Sequence, residues 1–364
     1  MIPRLHVALV YNMKQEDADE VSIQSGGEED GESEIAVASR TKLQQTRPDT
    51  YAEWDTEETI LAVKAALEER HTVTMIEADE DAHQKFPRVQ PDIVFNIAEG
   101  LRGPSRESQI PALLEMLGIP YTGSDPVTLG ICLDKSRAKE ILTFHRVPTP
   151  AFHVASSLAE LDTVSVPLPC VVKPLHEGSS KGILNSSLVY TRRELAEQVE
   201  RVLSTYEEPA LVEKFLSGRE FTVALLGNGS SLRVFPIIEM RLDKLPRGIN
   251  PLYSYEAKWV WDQSDHPVDM YDCPARIDPG LEREIRETCV RAFQVLRCRD
   301  WCRIDLRLDE HNVPHILELN PLPGILPNPD DHSAFPMAAR AGGLSYNSML
   351  NAVLDAAILR YGLA

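Results

Sequence analysis

His315–Gly324, with the sequence HILELNPLPG, begins as an apolar strand and ends abruptly at two prolines. Glu318 and Asn320 interrupt the apolar residues, and they share one face because residues two apart in a strand point to the same side. Upstream, the strand pattern of DWCRIDLRL carries Arg303 and Asp305 at the same spacing. The sequence therefore predicts two core strands that each carry a polar pair on one face.

Composition limits the class of protein. A chain of 364 residues with 43% hydrophobic residues is long enough for two or three packed units. The formal net charge of −19 argues against a nucleic-acid-binding or anionic-membrane surface. In Met13–Glu58, 14 acidic and 4 basic residues give −10. We expect residues 13–50 to be an acidic, mobile insertion that is a solvated linker, a lid or a partner-binding segment.

The cysteine pattern and the N-terminus indicate a reducing compartment. Six cysteines occur without a CxxC pair or ligand-like spacing, which favours buried, reduced thiols. The N-terminal MIPRLHVALVYN enters a strand pattern at once, and no apolar stretch approaches the roughly 20 residues that a membrane helix needs. We therefore expect a cytoplasmic protein.

Strand and helix patterns alternate along the chain. Up to about residue 125 they follow a βαβ succession, which predicts an open parallel sheet. Its helices are expected in TEETILAVKAALEER and in ESQIPALLEMLGIP, where Gly118 would end the helix. Two further mixed units follow, so the predicted fold class is α/β with α+β elements. The predicted units are residues 1–125, 126–212 and 213–364.

The segment VVKPLHEGSSKG, Val171–Gly182, has the composition of a phosphate-binding loop, although it is neither a Walker A sequence nor GxGxxG. Its glycines would let the backbone approach an anion, its serines add donors, and Lys173 supplies a charge from a strand. A plain polar turn would explain the same residues.

Nearby charged residues strengthen the interpretation of a nucleotide site. In LVEKFLSGREF, Glu213 and Glu220 stand at the end of one predicted strand and the start of the next. Such carboxylates could accept hydrogen bonds from an adenine amino group and from ribose hydroxyls. Lys135 in CLDKSRAK adds a cation. Taken singly, each of these residues is also consistent with a solvated surface charge.

The ordered set of motifs resembles the D-alanine–D-alanine ligases of the ATP-grasp superfamily. The resemblance spans about residues 90–360, and its specificity comes from the order of stretches that are weak alone. They are LLEMLGIPYTGS, CLDKSRAK, VVKPLHEGSSKG, LVEKFLSGREFTVALLG, YSYEAKW, CRIDLRL, LELNPLPG and HSAFPMAAR.

The resemblance implies an N-terminal open α/β unit, followed by central and C-terminal ATP-grasp subdomains that hold ATP between two sheets. Lys135 and Lys173 would contact the phosphates, and a loop would close over them. The implied loop residues are Glu177, Gly178, Ser179, Ser180 and Gly182. The other implied ATP-binding residues are Glu213, Lys214, Phe215, Leu216, Glu220 and Lys258.

The resemblance also explains the polar residues of the two apolar strands. It implies that Asp305, Glu318 and Asn320 bind two Mg²⁺ ions, or Mn²⁺, with the glutamate bridging, and these ions prefer oxygen ligands. A polar sheet face turned to solvent is the alternative, but the flanking residues are too apolar for an exposed strand. Arg303 and the backbone N–H of Gly324 would stabilise a tetrahedral oxyanion.

The side of the first substrate departs from the family pattern. No Gly-Gly loop with its ammonium-binding glutamate follows the first strand, although Asp17 or Asp19 could stand nearby. Glu99 replaces a family histidine and could itself hold an ammonium. In the predicted closing loop GINPLYSYEAKWVW, Trp259 replaces a tyrosine that would hydrogen-bond to the catalytic position of Ser179.

These motifs predict an ATP-dependent carboxylate–amine ligase that forms a peptide bond through an acyl phosphate, with D-alanyl-D-alanine as the first candidate product. Ser333 would bind the carboxylate of the second substrate. The implied role is in peptidoglycan and cell-wall synthesis, and a homodimer is left open. Ligation of a different amino acid to another amine or hydroxyl, and a non-catalytic ATP-binding module, are the alternatives.

Overall fold

The computed structural model describes residues 3–14, 51–100, 102–246, 248–254 and 270–364. Several residues singled out from the sequence lie outside the described residues: Lys258, Trp259, Asp17, Asp19 and nearly all of the predicted insertion.

The N-terminal unit contains a parallel sheet, as the βαβ pattern predicts. Its strands are β1 (His6–Tyr11), β2 (Thr72–Glu77) and β3 (Ile93–Asn96), and its helices are α1 (Glu57–Glu68), α2 (Ala82–Val89) and α3 (Gln109–Leu117). The strand order is β2–β1–β3, and both pairings are parallel. Helix α3 ends at Gly118, whose φ of +67° suits a residue without a Cβ.

Helix α1 shows why its sequence forms a helix at this place. The side chain of Thr56 accepts a hydrogen bond from the N–H of Thr59 and caps the first turn. Glu57 and Glu58 follow in that turn, where the helix dipole favours negative charge. The apolar residues at helical spacing are buried against the N-terminal sheet.

The central unit contains an antiparallel sheet. Its strands are β4 (Phe152–Ala155), β5 (Cys170–Pro174), β6 (Leu188–Val189) and β7 (Ala210–Lys214), and the helices before and within it are α4 (Pro126–Leu133), α5 (Lys135–Phe144) and α6 (Arg192–Tyr206). The strand order is β4–β7–β5–β6. The predicted boundary between residues 212 and 213 falls inside β7, and the unit boundaries stay a prediction.

The C-terminal unit contains an antiparallel sheet of six strands. They are β8 (Glu220–Leu226), β9 (Arg233–Val234), β10 (Ile238–Met240), β11 (Tyr271–Asp272), β12 (Trp301–Leu308) and β13 (Pro314–Asn320), and the helices are α7 (Pro279–Val295), α8 (Ala334–Ala341) and α9 (Tyr346–Tyr361). The order is β11–β10–β8–β12–β13, and β9 pairs with β8. Strands β12 and β13 are the two that the sequence predicts to carry polar pairs.

One hydrophobic core joins the two ends of the chain. Leu9 of β1 and Ile60 of α1 are fully buried in the same cluster as Leu350 and Leu354 of α9. All six cysteines are free thiols, and five of them are buried while Cys273 is half-buried. No helix among the described residues is long and apolar enough to cross a membrane.

Candidate active site

A cavity of about 530 Å³ is lined by residues of the central and C-terminal sheets and by residues that flank the N-terminal sheet. With the exception of Gly182, every site residue predicted from the sequence and present in the described part lines it. These residues are Glu99, Lys135, Lys173, Glu177, Gly178, Ser179, Ser180, Glu213, Lys214, Phe215, Leu216, Glu220, Arg303, Asp305, Glu318, Asn320, Gly324 and Ser333.

The polar face of β12 and β13 lies at this cavity. In the antiparallel register Asp305 pairs with Glu318 and Arg303 pairs with Asn320, and the register shifts directly after Asp305. Arg303 donates from Nη2 to Asp305 Oδ2 at 2.9 Å, and Asn320 donates from Nδ2 to the same oxygen at 3.2 Å. Thr222 of β8 donates to Asp305 Oδ1. Because residues two apart in a strand share a face, the two pairs form one polar surface of Arg303, Asp305, Glu318 and Asn320.

The cations around Glu318 favour its ionised form. Burial alone would raise its pKa, but Lys135, Lys173 and Arg303 outweigh burial and hold the pKa below its usual value. Lys135 Nζ lies 3.9 Å from Glu318 Oε2. An ionised carboxylate facing a second carboxylate, with an amide beside them, is a donor set that fits Mg²⁺ together with phosphate and water oxygens. In the described part of the chain, no group of three or more His, Cys, Asp or Glu side chains forms a metal centre of its own.

The segment predicted to bind phosphates, Val171–Gly182, continues from β5 into a loop. Lys135, the first residue of α5, donates from Nζ to the carbonyl of Glu177. Ser179 and Ser180 have φ angles of 51° and 60°, a left-handed conformation that costs on the order of 1 kcal/mol for a residue with a Cβ. Backbone strain of this kind concentrates at ligand-binding segments.

Gly182 has a packing role at the end of this loop. Its φ is +70°, and a Cβ there would come within 2.4 Å of Pro174 Cγ and 2.9 Å of the Tyr206 ring. The chain can therefore leave β5 by this route only if residue 182 lacks a side chain.

The adenine side of the predicted site combines apolar walls with ion pairs. Phe215 packs with a small buried cluster, and the guanidinium of Arg307 lies 4.7 Å from its ring centre. Arg307 Nη1 also donates to Glu220 Oε2 at 3.1 Å. Burial raises the pKa of Glu220, and Arg307 only partly opposes it. Lys214 pairs with Glu310 at 3.1 Å on the surface.

Ser333 organises the turn after β13. Its Oγ donates to the carbonyl of Gly324 at 3.0 Å and accepts from the N–H of Leu326 at 3.2 Å. The hydroxyl therefore ties the start of α8 to the PLPG turn, so both borders of this part of the cavity move together.

Comparison with known proteins assigns this arrangement to a family. A family model described as "D-ala D-ala ligase C-terminus" matches residues 144–355, more than half of the chain. The chain is 36% identical over 268 residues to a D-alanine–D-alanine ligase of Bordetella petrii, which covers 73% of this chain and 76% of that protein. The chain belongs to the D-alanine–D-alanine ligase family.

A further relative and a solved structure are also similar to the chain. "Uncharacterized protein y4sG" of Sinorhizobium fredii is 38% identical over 309 residues, covering 82% of this chain and 87% of that protein. The crystal structure of the D-alanine–D-alanine ligase from Bacillus anthracis complexed with ATP aligns with a TM-score of 0.64 at 20% identity, covering 99% of this chain and 100% of that chain. The predicted ATP-grasp fold is thereby confirmed.

Lys139 is a further buried charge at this site, and the sequence analysis did not identify it. It is 1% exposed and contacts Glu213 Oε2 at 2.6 Å, whereas Lys173 contacts the other oxygen of Glu213 at 3.4 Å. Lys139 Nζ also donates to Thr149 Oγ1 at 2.9 Å. Burial lowers the pKa of Lys139 to about 8 despite Glu213. Its position four residues after Lys135 on α5 is the signal that could have found it.

The sequence reasoning also missed the acidic residues at the N-terminal side of the ligase cavity. Asp55 and Glu107 line it together with Glu99. Burial raises the pKa of Asp55 to about 7 and, with help from the charge of Glu53, that of Glu107 to about 7. Burial and these neighbouring carboxylates raise the pKa of Glu99 as well. This acidic side of the cavity is therefore suited to a cationic group.

Glu53 lies beside the end of β1 in space although a long segment separates the two in sequence. The N–H of Lys14 donates to Asp55 O at 2.8 Å, and the N–H of Asp55 donates to Asn12 O at 3.2 Å. Residues 53–55 therefore lie directly beyond β1 in space, although a long segment separates them in sequence. Trp54 fixes this stretch by donating from Nε1 to Gly100 O at 3.1 Å.

Proposed function

We propose that the protein joins the carboxylate of one small amino acid to the amine of a second in an ATP-dependent reaction, with D-alanine as the first candidate for both. The observation that carries the proposal is the polar face of Arg303, Asp305, Glu318 and Asn320 at a large cavity, in a member of a family of ATP-dependent C–N ligases.

ATP would bind between the central and C-terminal sheets. Phe215 and its neighbours would pack against adenine, Glu220 would accept hydrogen bonds from the ribose, and Lys135 and Lys173 would balance phosphate charge. Asp305, Glu318 and Asn320 would hold two Mg²⁺ ions, which when bound neutralise charge on the transferring phosphoryl group. The low pKa of Glu318 supports this role because a metal ligand must be ionised.

The ligation itself needs an activated carboxylate. The γ-phosphoryl group of ATP passes to a carboxylate oxygen of the first substrate, and the amine of the second substrate then attacks the acyl phosphate and displaces phosphate. Arg303 and the N–H of Gly324 would stabilise the oxyanion of the tetrahedral state. The Ser179 loop would shield the acyl phosphate from water.

The substrates are proposed from the two ends of the cavity. Glu99, Glu107 and Asp55 favour an ammonium at the N-terminal side, which supports an amino acid as the first substrate. Ser333 would contact the carboxylate of the second substrate beside the PLPG turn. We place the reaction in the cytoplasm, where ATP and amino acids are supplied.

The test is phosphate release from Mg·ATP with D- and L-amino acids, singly and in pairs, with mass determination of the product. Phosphate release with D-alanine and a D-alanyl-D-alanine product is expected. Release only with another pair would replace D-alanine but keep the ligase. Tight ATP binding without release for any pair would contradict the proposal and favour a non-catalytic ATP-binding module.

Arg303→Ala tests the assignment of the oxyanion-stabilising residue. We expect ATP binding to persist while kcat falls by roughly 10²–10³, because one transition-state donor is lost. Arg193→Ala is the matched control, since Arg193 lies on α6 with an 86% exposed side chain. Full activity of the Arg303 variant would refute the role, and ATP affinity is measured by calorimetry in parallel.

A further inference from the structure

Four charged side chains form a closed ring between the N-terminal unit and the phosphate-binding loop. Arg106 Nη2 contacts Glu53 Oε2 at 2.9 Å and Glu177 Oε2 at 3.2 Å. Lys181 Nζ contacts the same two oxygens at 2.7 and 3.0 Å. Each cation therefore bridges both carboxylates. Glu53 and Arg106 come from the N-terminal unit, whereas Glu177 and Lys181 come from the loop.

The ring is buried and electrically balanced. The exposed fractions of the four side chains run from 4% for Lys181 to 11% for Glu177. Burial alone would raise the pKa of Glu53, but Lys181 and Arg106 outweigh it and lower the pKa to about 2. Removal of one cation would leave two buried carboxylates with one partner, which is far more costly than loss of a surface pair.

Gly178 brings the loop backbone into the same contact. Its N–H donates to Glu53 Oε1 at 2.9 Å. A Cβ at this position would lie 2.4 Å from that oxygen. A side chain at residue 178 would therefore displace the Glu53 carboxylate, whereas glycine lets the backbone N–H and the ring contact Glu53 together.

The loop is held from the cavity side as well. Lys135 donates to the carbonyl of Glu177, and Ser180 Oγ donates to the carbonyl of Tyr253 at 3.1 Å. These contacts come from the central unit and from residues 248–254. The ring and the Gly178 N–H instead connect the loop to the N-terminal unit, where the first substrate is proposed to bind.

We propose that Arg106 and Lys181 are positioning residues that lock the loop Glu177–Gly182 to the N-terminal unit through Glu53. The lock holds two parts of the cavity in a fixed relative position: the loop that would cover the phosphates, and the acidic side where the first substrate would bind. Because Glu53 is neutralised by the ring, the ammonium of the first substrate is left to Glu99 and its acidic neighbours. The catalytic consequence rests on the proposed ligase function, whereas the lock itself does not.

Lys181→Met tests the lock, with Lys181→Arg as the charge-conserving variant. Lys64→Met is the matched control because Lys64 pairs with Glu68 on the surface of α1, at 2.6 Å. Two quantities are measured on the full chain: hydrogen exchange of the Gly178 amide, and the ratio of phosphate released to ligated product with Mg·ATP and amino acids.

We expect exchange of the Gly178 amide to rise about 10-fold or more in Lys181→Met, because the loop opens locally without global unfolding. The ratio of phosphate to product should rise at least about threefold, since an unlocked loop admits water to the acyl phosphate. Lys181→Arg and Lys64→Met should resemble the parent chain. A merely structural defect would lower the amounts of released phosphate and of ligated product together and leave their ratio unchanged.

Two outcomes would overturn the lock. The first is a folded Lys181→Met chain with parental Gly178 exchange and a parental phosphate-to-product ratio. The second is a folded Gly178→Ala chain with parental exchange at residue 178 and a parental phosphate-to-product ratio, since the alanine must push Glu53 away. If Lys181→Met fails to fold, Arg106→Lys is measured in the same way, because it keeps the charge but loses the bridging geometry. Hydrogen exchange can be measured without turnover. An inactive parent chain would therefore contradict the ligase proposal but not the lock.

Discussion

At the scale of single residues, Glu213 lies between two buried lysines, and it contacts one of them at a shorter distance than the other. Lys139 is 2.6 Å from one oxygen, and Lys173 is 3.4 Å from the other. Both cations and Glu213 itself are almost fully buried. Lys139 therefore compensates Glu213 more strongly than Lys173 does, which would leave the charge of Lys173 for the phosphates that we propose it contacts.

We predict that Lys139→Met raises the KM for ATP by about 10-fold, because Glu213 would then draw Lys173 to itself. Lys139→Arg should lose less, and Lys85→Met, which removes a surface pair with Asp79, should have no effect. Steady-state kinetics with varied ATP give the comparison. An unchanged KM in a folded Lys139→Met protein would contradict the assigned division of charge.

At the scale of elements, the junction between β5 and the loop depends on His176. Its Nδ1 contacts Glu208 Oε2 at 2.8 Å, and its Nε2 lies 3.6 Å from Asp134 Oδ2 at the cap of α5. Burial would lower the pKa of His176, but hydrogen bonds and charge from Asp134 and Glu208 outweigh it and raise the pKa to about 9. The imidazolium thus joins α5, β5 and the approach to β7.

A pH dependence of stability follows from this raised pKa. The folded state binds the proton more tightly than the unfolded state, whose pKa is near 6.5. The stabilisation is therefore fully present below about pH 6.5 and is lost as the pH rises through about 9. We expect the free energy of unfolding to fall by on the order of 2 kcal/mol over this range.

His176→Gln should flatten that part of the profile, since glutamine does not titrate. Urea unfolding of both proteins between pH 6 and 10 measures the difference, and other titrating groups cancel in the comparison. Parallel profiles for the two proteins would remove His176 as the cause.

The elements also show where sequence patterns were sufficient. Regular periods predicted β1, α1, α3 and the paired strands β12 and β13, because a buried face leaves a period of two or 3.6 in the sequence. Helix α2 was missed because Pro87 lies inside it, and proline usually ends helices. Helix α4 was missed because Gly130 interrupts its pattern, although Asp125 caps it and Pro126 begins it.

At the scale of the whole molecule, Asp300 connects parts that are far apart in sequence. It is fully buried and accepts from the N–H of Gly123 at 2.8 Å, from Asn228 Nδ2 at 2.7 Å and from Arg360 Nη2 at 2.7 Å. Arg360 of α9 also donates to Tyr121 O at 2.8 Å. The network joins the end of the N-terminal unit, the turn after β8 and the last helix.

We predict that Arg360→Met lowers the free energy of unfolding by about 3–5 kcal/mol, because it leaves the Asp300 carboxylate buried without its cation. Arg70→Met is the control, since Arg70 pairs with Asp355 of the same helix with a 38% exposed side chain. Urea unfolding monitored by fluorescence measures both. A loss of less than about 1 kcal/mol would show that the remaining donors suffice.

Long-range assembly also explains which parts of the candidate site the sequence could predict. The polar pairs of β12 and β13 were accessible because each lies within one strand and their strands are neighbours. The ring at Glu53 was not accessible, since Arg106 lies 53 residues from Glu53 and 71 residues from Glu177 of the loop in the sequence. Lys181 and Arg106 carry no local pattern that distinguishes them from surface charges.

Met13 and Asp55 are held side by side by a backbone bridge, and this fixes both ends of the chain between residues 15 and 50. Doubling the length of a loop with fixed ends costs only about 0.6 kcal/mol. The length of chain that joins these ends can therefore change at little cost in free energy while β1 and Glu53 keep their places. Because Lys14 and Ala52 both line the cavity, whatever joins these two ends of the chain begins and returns beside it.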